Sequence, residues 1–206
     1  MPDETNMLGT YQNLIASAYR SRQSAYIFKK ELQRAMKNGY DIDYAPQKPV
    51  FDSLLLWSIR TENLPVAYAL IDAGADIDKP NDNGVTALML ATRRLYVHNS
   101  ESFVPLFEKL LKNTRNIDAI DCNDETAIGA LCWRYVYTEG DRFFLPFIKK
   151  MLHAGANPFL GVWYTENTKQ KYTQYKEQLV KILSSYLEQK QELKKRETED
   201  CYDYEI

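Results

Sequence analysis

Residues 70–91 read LIDAGADIDKPNDNGVTALMLA. An apolar helical run ends at Gly74, a polar loop reaches Gly84, and small apolar residues begin again after Thr86. Glycine accepts the left-handed backbone that closes many helices, and threonine ahead of an apolar run is a preferred helix N-cap. The stretch therefore predicts a helix, a loop and a second helix, with single residues marking both boundaries.

The same features return along the chain with a period of about 33 residues. The segment GYDID begins at Gly39 and GADID begins at Gly74, which is 35 residues later. Ser53, Thr86 and Thr126 each open a short run of small and apolar residues, at steps of 33 and 40. One such unit cannot bury its apolar face alone, so the units are expected to stack on one another.

This pattern resembles the ankyrin repeat over roughly residues 8–165. Residues 86–91 (TALMLA) and 74–78 (GADID) match the family pattern of T-P-L-H-x-A, two helices and G-A-D. Two departures are that Ala87 stands in place of the proline and Met89 in place of the histidine.

A third departure is Asp124, which occupies the loop position that Gly84 matches. Aspartate tolerates left-handed backbone better than most residues, so the turn is expected to survive.

The resemblance implies an all-α repeat solenoid of about four ankyrin-type helix-turn-helix units with finger loops, plus a long C-terminal helix. The opening helix, Thr10 to Arg20, lacks the motif, as expected of a capping unit. The predicted boundaries are an N-terminal tail at 1–7, a repeat domain at 8–165 with units at about 8–43, 44–78, 79–118 and 119–160, a C-terminal helix at 166–198 that caps the stack, and a disordered acidic tail at 199–206.

Two insertions, residues 94–103 and 134–144, lengthen the link between paired helices in the third and fourth units. Both are rich in tyrosine and charge. One interpretation is a longer helix pair with an exposed turn; the other is a rim for ligand contact, because repeat insertions cluster on one face.

The C-terminal segment from Thr168 to about Thr198 contains no glycine or proline. Apolar residues follow a spacing of three and four, which is a heptad pattern. Its predicted role is to cover the last unit, with a coiled-coil contact to a second copy or a partner as the alternative. The seam residues are Tyr172, Tyr175, Leu179, Ile182, Tyr186 and Leu193, with Gln189 as its polar member.

Composition excludes several classes of function. The formal net charge is −2, so no bulk basic field attracts nucleic acid or an acidic membrane. The N-terminus has no apolar core of a signal peptide, and no run of about 18 apolar residues occurs. Three cysteines favour a reducing compartment. The predicted location is the cytoplasm.

No pattern of catalytic residues is recognisable in the sequence. The two histidines are His98, in an insertion, and His153, in the predicted last turn of a helix, where it interacts favourably with the helix dipole. Cys122 and Cys132 lack a histidine at metal-site spacing. The sequence therefore predicts a non-enzyme with no cofactor, no metal and no small-molecule substrate.

The candidate partner-binding residues come from the family's usual contact positions, the ends of the first helices and the finger tips. Four arginines and a tryptophan fall in line at the helix ends, and Arg and Trp are enriched among binding hot spots. One interpretation is that the arginines only end helices and bind carbonyl groups; the other is that an acidic protein segment docks on them. The residues are Arg60, Arg93, Arg94, Trp133 and Arg134 at the helix ends, and Lys79, Asp82, Asn83, Asn123 and Glu125 in the fingers.

The resemblance implies a protein–protein interaction module that binds a protein partner on the concave face. The alternative is a bacterial effector or an immunity or inhibitor protein acting on one foreign protein, translocated into a host cell in the effector case, because the tail is similar to C-terminal export signals. Nucleic acid is an unfavourable third possibility. A monomer is preferred over a coiled-coil dimer.

Overall fold

The computed structural model describes residues 4–21, 24–46, 52–95, 100–165 and 169–202, and within these ranges every regular element is helical. The order matches an all-α protein. The helices are α1 (Glu4–Arg20), α2 (Tyr26–Lys37), α3 (Leu54–Arg60), α4 (Leu64–Asp72), α5 (Ala87–Arg94), α6 (Ser100–Asn113), α7 (Ala127–Tyr137), α8 (Leu145–His153), α9 (Val162–Thr165) and α10 (Gln170–Tyr202), with a 3-10 turn at Arg142–Phe144 before α8.

The starts of α3, α5 and α7 are set by one type of cap. Ser53, Thr86 and Thr126 have extended backbones, and each side-chain oxygen accepts a hydrogen bond from the amide three residues further on, at 3.4, 3.4 and 3.0 Å. These bonds satisfy amides that the first helical turn leaves without a partner. The predicted capping role of Thr86 is confirmed.

The ends of α2, α4 and α8 are set by glycine. Gly39, Gly74 and Gly155 have φ of 88°, 94° and 100°. The residue after each glycine donates its amide to a carbonyl five residues earlier, at 3.0 Å in all three cases. The predicted left-handed cap at Gly74 is confirmed.

The loop turn at Asp124 also survives, as expected. Its φ is 54°, close to the 76° of Gly84, and both residues donate their amides to a carbonyl three residues earlier, at 3.0 and 2.9 Å. The aspartate thus adopts the same turn as the glycine despite its side chain.

The helices pack in consecutive pairs, and the pairs contact their neighbours in chain order. α1 packs with α2, α3 with α4, α5 with α6, and α7 with α8, while α3 contacts α5 and α5 contacts α7. Ala87, Ala91 and Ala127 are buried on the facing sides of α5 and α7, where small side chains allow close approach. A continuous core of Leu, Ile and Phe side chains runs through all four pairs.

The long helix α10 packs against α7. Leu179 and Leu183 are fully buried, whereas Ile182, predicted for the seam, is only half-buried, so the buried stripe differs by one residue there. Lys190 Nζ donates to the carbonyl of Leu152 at 2.8 Å. The lysine thus places a positive charge at the C-terminal end of α8, where it can bond a carbonyl group of the last helical turn. The side chain of Leu193 lies outside the described residues.

Two predicted boundaries differ from the structure. α1 begins at Glu4, ahead of the predicted start of the repeats at residue 8. α10 runs to Tyr202, so residues 199–202, predicted to be disordered, are helical, and residues 203–206 lie outside the described ranges.

Candidate interaction face

The predicted helix-end residues lie along one edge of the packed pairs, at or near the ends of α3, α5 and α7. Their guanidinium groups do not point out together as a plain cationic stripe. Instead, Arg60, Arg93, Arg94 and Arg134 each bind groups of the chain itself.

Arg60 forms a two-point pair with Asp52, which lies just ahead of α3. Its Nε donates to Oδ2 at 2.6 Å, and its Nη2 donates to Oδ1 at 3.1 Å. The Asn81 side chain also donates to Asp52, at 2.8 Å, and so ties this pair to the next loop. The Arg60 side chain is nevertheless 47% exposed.

Arg93 binds two carboxylates of the loop ahead of α7. Its Nη2 lies 2.6 Å from Asp121, whose side chain is fully buried, and its Nε donates to Glu125 at 3.1 Å. Burial opposes the charge on both partners, but their mutual hydrogen bonds outweigh it, so the pKa of Arg93 is raised and the pKa of Asp121 is lowered. The charge of Arg93 is therefore balanced within the chain.

Arg94 and Arg134 bind backbone carbonyls at the end of the first helix of the preceding pair. Arg94 Nη2 donates to the carbonyl of Arg60 at 2.6 Å, and Arg134 Nη2 donates to the carbonyl of Arg93 at 2.8 Å. The two arginines occupy corresponding positions, eight residues after Thr86 and Thr126. The interpretation that these side chains bind carbonyls at helix ends therefore has direct support, with the carbonyls supplied by the neighbouring pair.

A groove opens beside α7, and four of the predicted residues line it. We call it the α7 groove; it has a volume of about 520 Å³. Trp133 stacks on Tyr137 with ring centres 4.9 Å apart and planes inclined by 25°, and Tyr172 of α10 meets Tyr137 edge-on at 4.8 Å. The lining residues are Arg93, Glu125, Ala130, Trp133, Arg134, Tyr137 and Thr138.

Sequence reasoning missed Ala130, Tyr137 and Thr138 as part of this groove. Tyr137 is 45% exposed and is the principal apolar surface of the groove together with Trp133. Its position four residues after Trp133 was the available signal, since residues at that spacing share a helix face. Arg60, Arg94 and the remaining loop residues do not line the groove.

Two of the predicted loop residues, Lys79 and Asn83, hold neighbouring loops together. Lys79 Nζ donates to the carbonyl of Asp43 at 2.8 Å, and the carbonyl of Asn83 accepts the amide of Cys122 at 2.8 Å. The amide of Asn123 donates to the side chain of Asp121 at 2.9 Å. Asp82 is exposed at the tip of its loop.

The insertion at residues 134–144 lengthens α7 and then turns into α8. Glu139 and Gly140 take left-handed conformations in the turn, and the Gly140 Cα lies close enough to Tyr175 that an added methyl group would lie 3.2 Å from its ring. The turn in this insertion therefore packs against α10. Residues 96–99 of the other insertion, with His98, lie outside the described ranges.

His153, Cys122 and Cys132 do not line the α7 groove. His153 ends α8, as predicted, and its Nδ1 lies 3.0 Å from the carbonyl of Lys149 and 2.6 Å from the Tyr186 hydroxyl. Cys132 is fully buried, which raises the pKa of its thiol, and Cys122 is exposed. Across the described ranges, no group of three or more His, Cys, Asp or Glu side chains is placed to hold a metal ion.

No helix within the described ranges is both long enough and apolar enough to cross a membrane. The sequence matches no model of a known protein family, and no curated protein sequence is significantly similar to it.

Proposed function

We propose that the chain is an ankyrin-type repeat solenoid that acts as a non-catalytic protein-interaction module and binds a protein partner at the α7 groove. The repeat architecture is supported by bonds that recur between successive units. Asp43, Asp78 and Asp118 each accept a hydrogen bond from a backbone amide of the following unit, at 2.9 Å in each case. Such a repeated junction is what a stack of equivalent units requires.

The observation that carries the functional proposal is the exposed aromatic pair in the α7 groove. A Tyr that is 45% exposed and stacked on a Trp offers a large rigid apolar surface that water covers in the free protein. Trp and Tyr are enriched among residues that dominate binding energy. Their polar edges can hydrogen-bond at the same time.

Because the arginines are paired within the chain, the primary contact is with an apolar side chain of the partner. Arg60, Arg93 and Arg94 already have carboxylate partners within the chain, so an acidic segment would have to compete with these pairs. An apolar side chain on the Trp133–Tyr137 surface meets no such competition. Acidic groups of the partner would then contribute at the rim rather than at the centre of the interface.

The experiment is affinity capture with the full chain as bait, followed by measurement of the dissociation constant for each protein identified. Tyr137→Ala is the test variant, and Phe143→Ala is its matched control, because Phe143 is 41% exposed but lies in the turn before α8, outside the groove. The proposal predicts that Tyr137→Ala weakens binding by about 2 kcal/mol, as hot-spot truncations do. Equal affinity of both variants for every captured protein would reject the groove as the binding site.

Reversal of Arg93 is a poor test of the same idea. A glutamate at this position would face Asp121 and Glu125, so lost binding could report a damaged fold. Arg60 offers no substitute, because it does not line the α7 groove.

A further inference from the structure

A second exposed tyrosine packs on a tryptophan two helix pairs before the α7 groove. Tyr19, near the end of α1, is 53% exposed, and its ring meets the Trp57 ring of α3 edge-on with centroids 5.4 Å apart. Trp57 itself is nearly buried. We call Tyr19 and Trp57 the α1–α3 aromatic pair. The α7 groove has the same two residue types in contact, as Tyr137 on Trp133.

The register of the helix caps places both aromatic surfaces on one face of the molecule. Trp57 lies four residues after the cap Ser53, and Ala130 lies four residues after the cap Thr126. Ala130 lines the α7 groove. Because α3 and α7 begin with the same type of cap, residues at equal distances from the caps point in equivalent directions. We call the face that these positions share the first-helix face.

Two helix-to-helix steps separate the two aromatic surfaces. α3 contacts α5, and α5 contacts α7. Packed helices lie about 8–10 Å apart, so the two surfaces lie about 16–20 Å from each other. An extended chain advances about 3.3 Å per residue, so about five or six residues of such a chain cover this distance.

The surface between the two aromatic sites suits an extended partner better than a helical one. Arg94 donates to the carbonyl of Arg60 at 2.6 Å, and Arg134 donates to the carbonyl of Arg93 at 2.8 Å, so guanidinium groups bridge the ends of successive first helices. A docked helix presents an apolar side chain at every turn, about 5.4 Å apart, and would place some of them on these charged groups. An extended segment needs apolar contacts only where its anchor side chains lie.

The two aromatic sites differ in the charge beside them. Arg20 follows Tyr19 and is 65% exposed, and its pair with Glu31 at 3.8 Å is weak because both side chains are exposed. Arg60 lies one turn after Trp57, and it is its guanidinium rather than its nearly buried partner Asp52 that faces water. At the α7 groove, two carboxylates balance the arginine charge. An acidic group of a partner is therefore favoured beside the α1–α3 aromatic pair.

We propose that the partner of the α7 groove is an extended protein segment with two large apolar side chains about five or six residues apart. One of them packs on Trp133 and Tyr137, and the other packs on the α1–α3 aromatic pair. An acidic residue of the segment lies beside the second anchor, where Arg20 and Arg60 face water. This inference rests on the proposed function, since the α7 groove is one of its two sites, and it adds the second site and the chemistry of the partner.

The test is selection of random peptides displayed on phage against the immobilised full chain under reducing conditions. Peptides of about 14 residues are used, because they span roughly twice the required distance when extended. The enriched sequences are expected to share two large apolar residues at the stated spacing, with an acidic residue beside one of them. Selection against Tyr19→Ala should lose the apolar residue beside the acid, whereas selection against Tyr137→Ala should lose the other.

Tyr26→Ala is the matched control for Tyr19→Ala. Tyr26 is 67% exposed but lies at the start of α2, so this variant should select the same peptides as the unchanged protein. Tyr19→Phe retains the ring and should also retain both anchors. Fluorescence anisotropy with a labelled synthetic peptide of the most enriched sequence should show binding weakened by about tenfold or more in each of Tyr19→Ala and Tyr137→Ala. Circular dichroism of all four variants should match that of the unchanged protein.

The outcomes separate this inference from the proposed function. If Tyr137→Ala loses its anchor but Tyr19→Ala selects the same peptides as the unchanged protein, the second site is rejected and the α7 groove stands. If neither variant differs from the unchanged protein, both proposals are rejected. Enriched peptides with one anchor, with anchors three or four residues apart as on a helix, or no enriched peptide at all would overturn the extended two-anchor partner.

Discussion

Arg60 and Arg93 occupy the same position in consecutive units, seven residues after the caps Ser53 and Thr86, yet they are held differently. Arg60 binds Asp52, which precedes its own helix, and its side chain remains 47% exposed. Arg93 binds two carboxylates of the following unit and is 28% exposed. Equal register therefore does not mean equal availability, because the loop that follows decides which charges face each arginine.

We call the contact of Arg60 with Asp52 the Arg60 junction, and the contact of Arg93 with Asp121 and Glu125 the Arg93 junction. The two junctions also differ in their distance from the α7 groove. The Arg93 junction borders the α7 groove with its aromatic pair, whereas Arg60 is not among the residues that line it. The more tightly bound arginine thus stands at the proposed binding site, where it shapes the wall of the groove. Substitutions around each arginine test this difference.

One of the two largest effects is expected from Gly84→Ala, in the loop that contacts residues 120 and 121 beside Arg93. Its φ is 76°, and an added Cβ would lie 2.9 Å from the backbone of Asp121 and of Ile120. Strain and overlap together should lower the free energy of unfolding by about 3 kcal/mol. Urea denaturation measures this change.

Gly155→Ala separates the two causes. Its φ is 100° but an added Cβ meets nothing within 4 Å, so only the strain of about 1 kcal/mol is expected. Equal destabilisation by the two substitutions would show that the loops do not approach each other as closely as the structure has them.

Removal of the acidic partners tests the two arginine junctions directly. Asp121→Ala should cost about 3 kcal/mol, since a buried carboxylate that holds Arg93 and two backbone amides is lost. Asp52→Ala should cost about 1.5 kcal/mol, because Arg60 is half in solvent and needs its partner less. Thermal and urea unfolding give both values, and the reverse order would contradict the comparison.

Acid should affect the Arg93 junction in a direction set by the pKa of Asp121. Burial alone would raise this pKa, but hydrogen bonds from Arg93 and two amides lower it below the usual 3.8. The ionised Asp121 therefore contributes its full stabilisation at pH values above the usual pKa. This stabilisation is lost as the pH falls through the lower pKa that Asp121 has in the folded protein. Asp121→Asn should make the fall of stability with acid shallower.

Asp43→Asn is the control for the acid experiment, because the pKa of Asp43 is shifted in the opposite direction to that of Asp121. Burial raises the pKa of Asp43, so its charge disfavours folding at neutral pH, and stability improves as this group is protonated. The asparagine can still accept the hydrogen bond from the amide of Asp76. A small gain in stability near pH 7 is expected, and a loss as large as that of Asp121→Asn would contradict the assignment.

The smallest effect is expected from the arginines that bind carbonyls. Arg134→Ala and Arg94→Ala should each cost about 1 kcal/mol, because charged hydrogen bonds at a partly exposed site are lost, which for Arg94 include the one to Glu62 at 2.9 Å. Lys112→Ala, at an exposed position of α6, should stay within about 0.5 kcal/mol of the unchanged protein. If the arginine variants are as stable as Lys112→Ala, these hydrogen bonds do not contribute to the free energy of unfolding.

Helix boundaries were predictable because their causes are local. The caps at Ser53, Thr86 and Thr126 act on an amide three residues away, and Gly74 acts on a carbonyl within its own helix. The turn at Asp124 was predictable for the same reason. The end of α10 was not, because a run of helix formers contains no residue that stops it.

The candidate site was predictable only as a row of positions. Sequence register placed Arg93, Trp133 and Arg134 near one another, and the structure has them around one groove. The repeat register could not show that Arg93 forms an ion pair, because its partner Asp121 lies 28 residues further along the chain. Tyr137 does not occupy one of the family's usual contact positions, so only its spacing of four residues from Trp133 on one helix face indicates its place in the groove.

Capping and left-handed turns depend on residues a few positions apart, so local sequence is enough to predict where most helices of the repeat units begin and end. Which charges are satisfied within the chain, and where an aromatic surface stays exposed, depends on tertiary contacts. Arg134 reaches a carbonyl 41 residues back along the chain, and α10 covers one side of α7 while leaving Tyr137 partly open. Such contacts follow from the stacking of whole units, because neighbouring surfaces come together only when the loops and helices between them have folded.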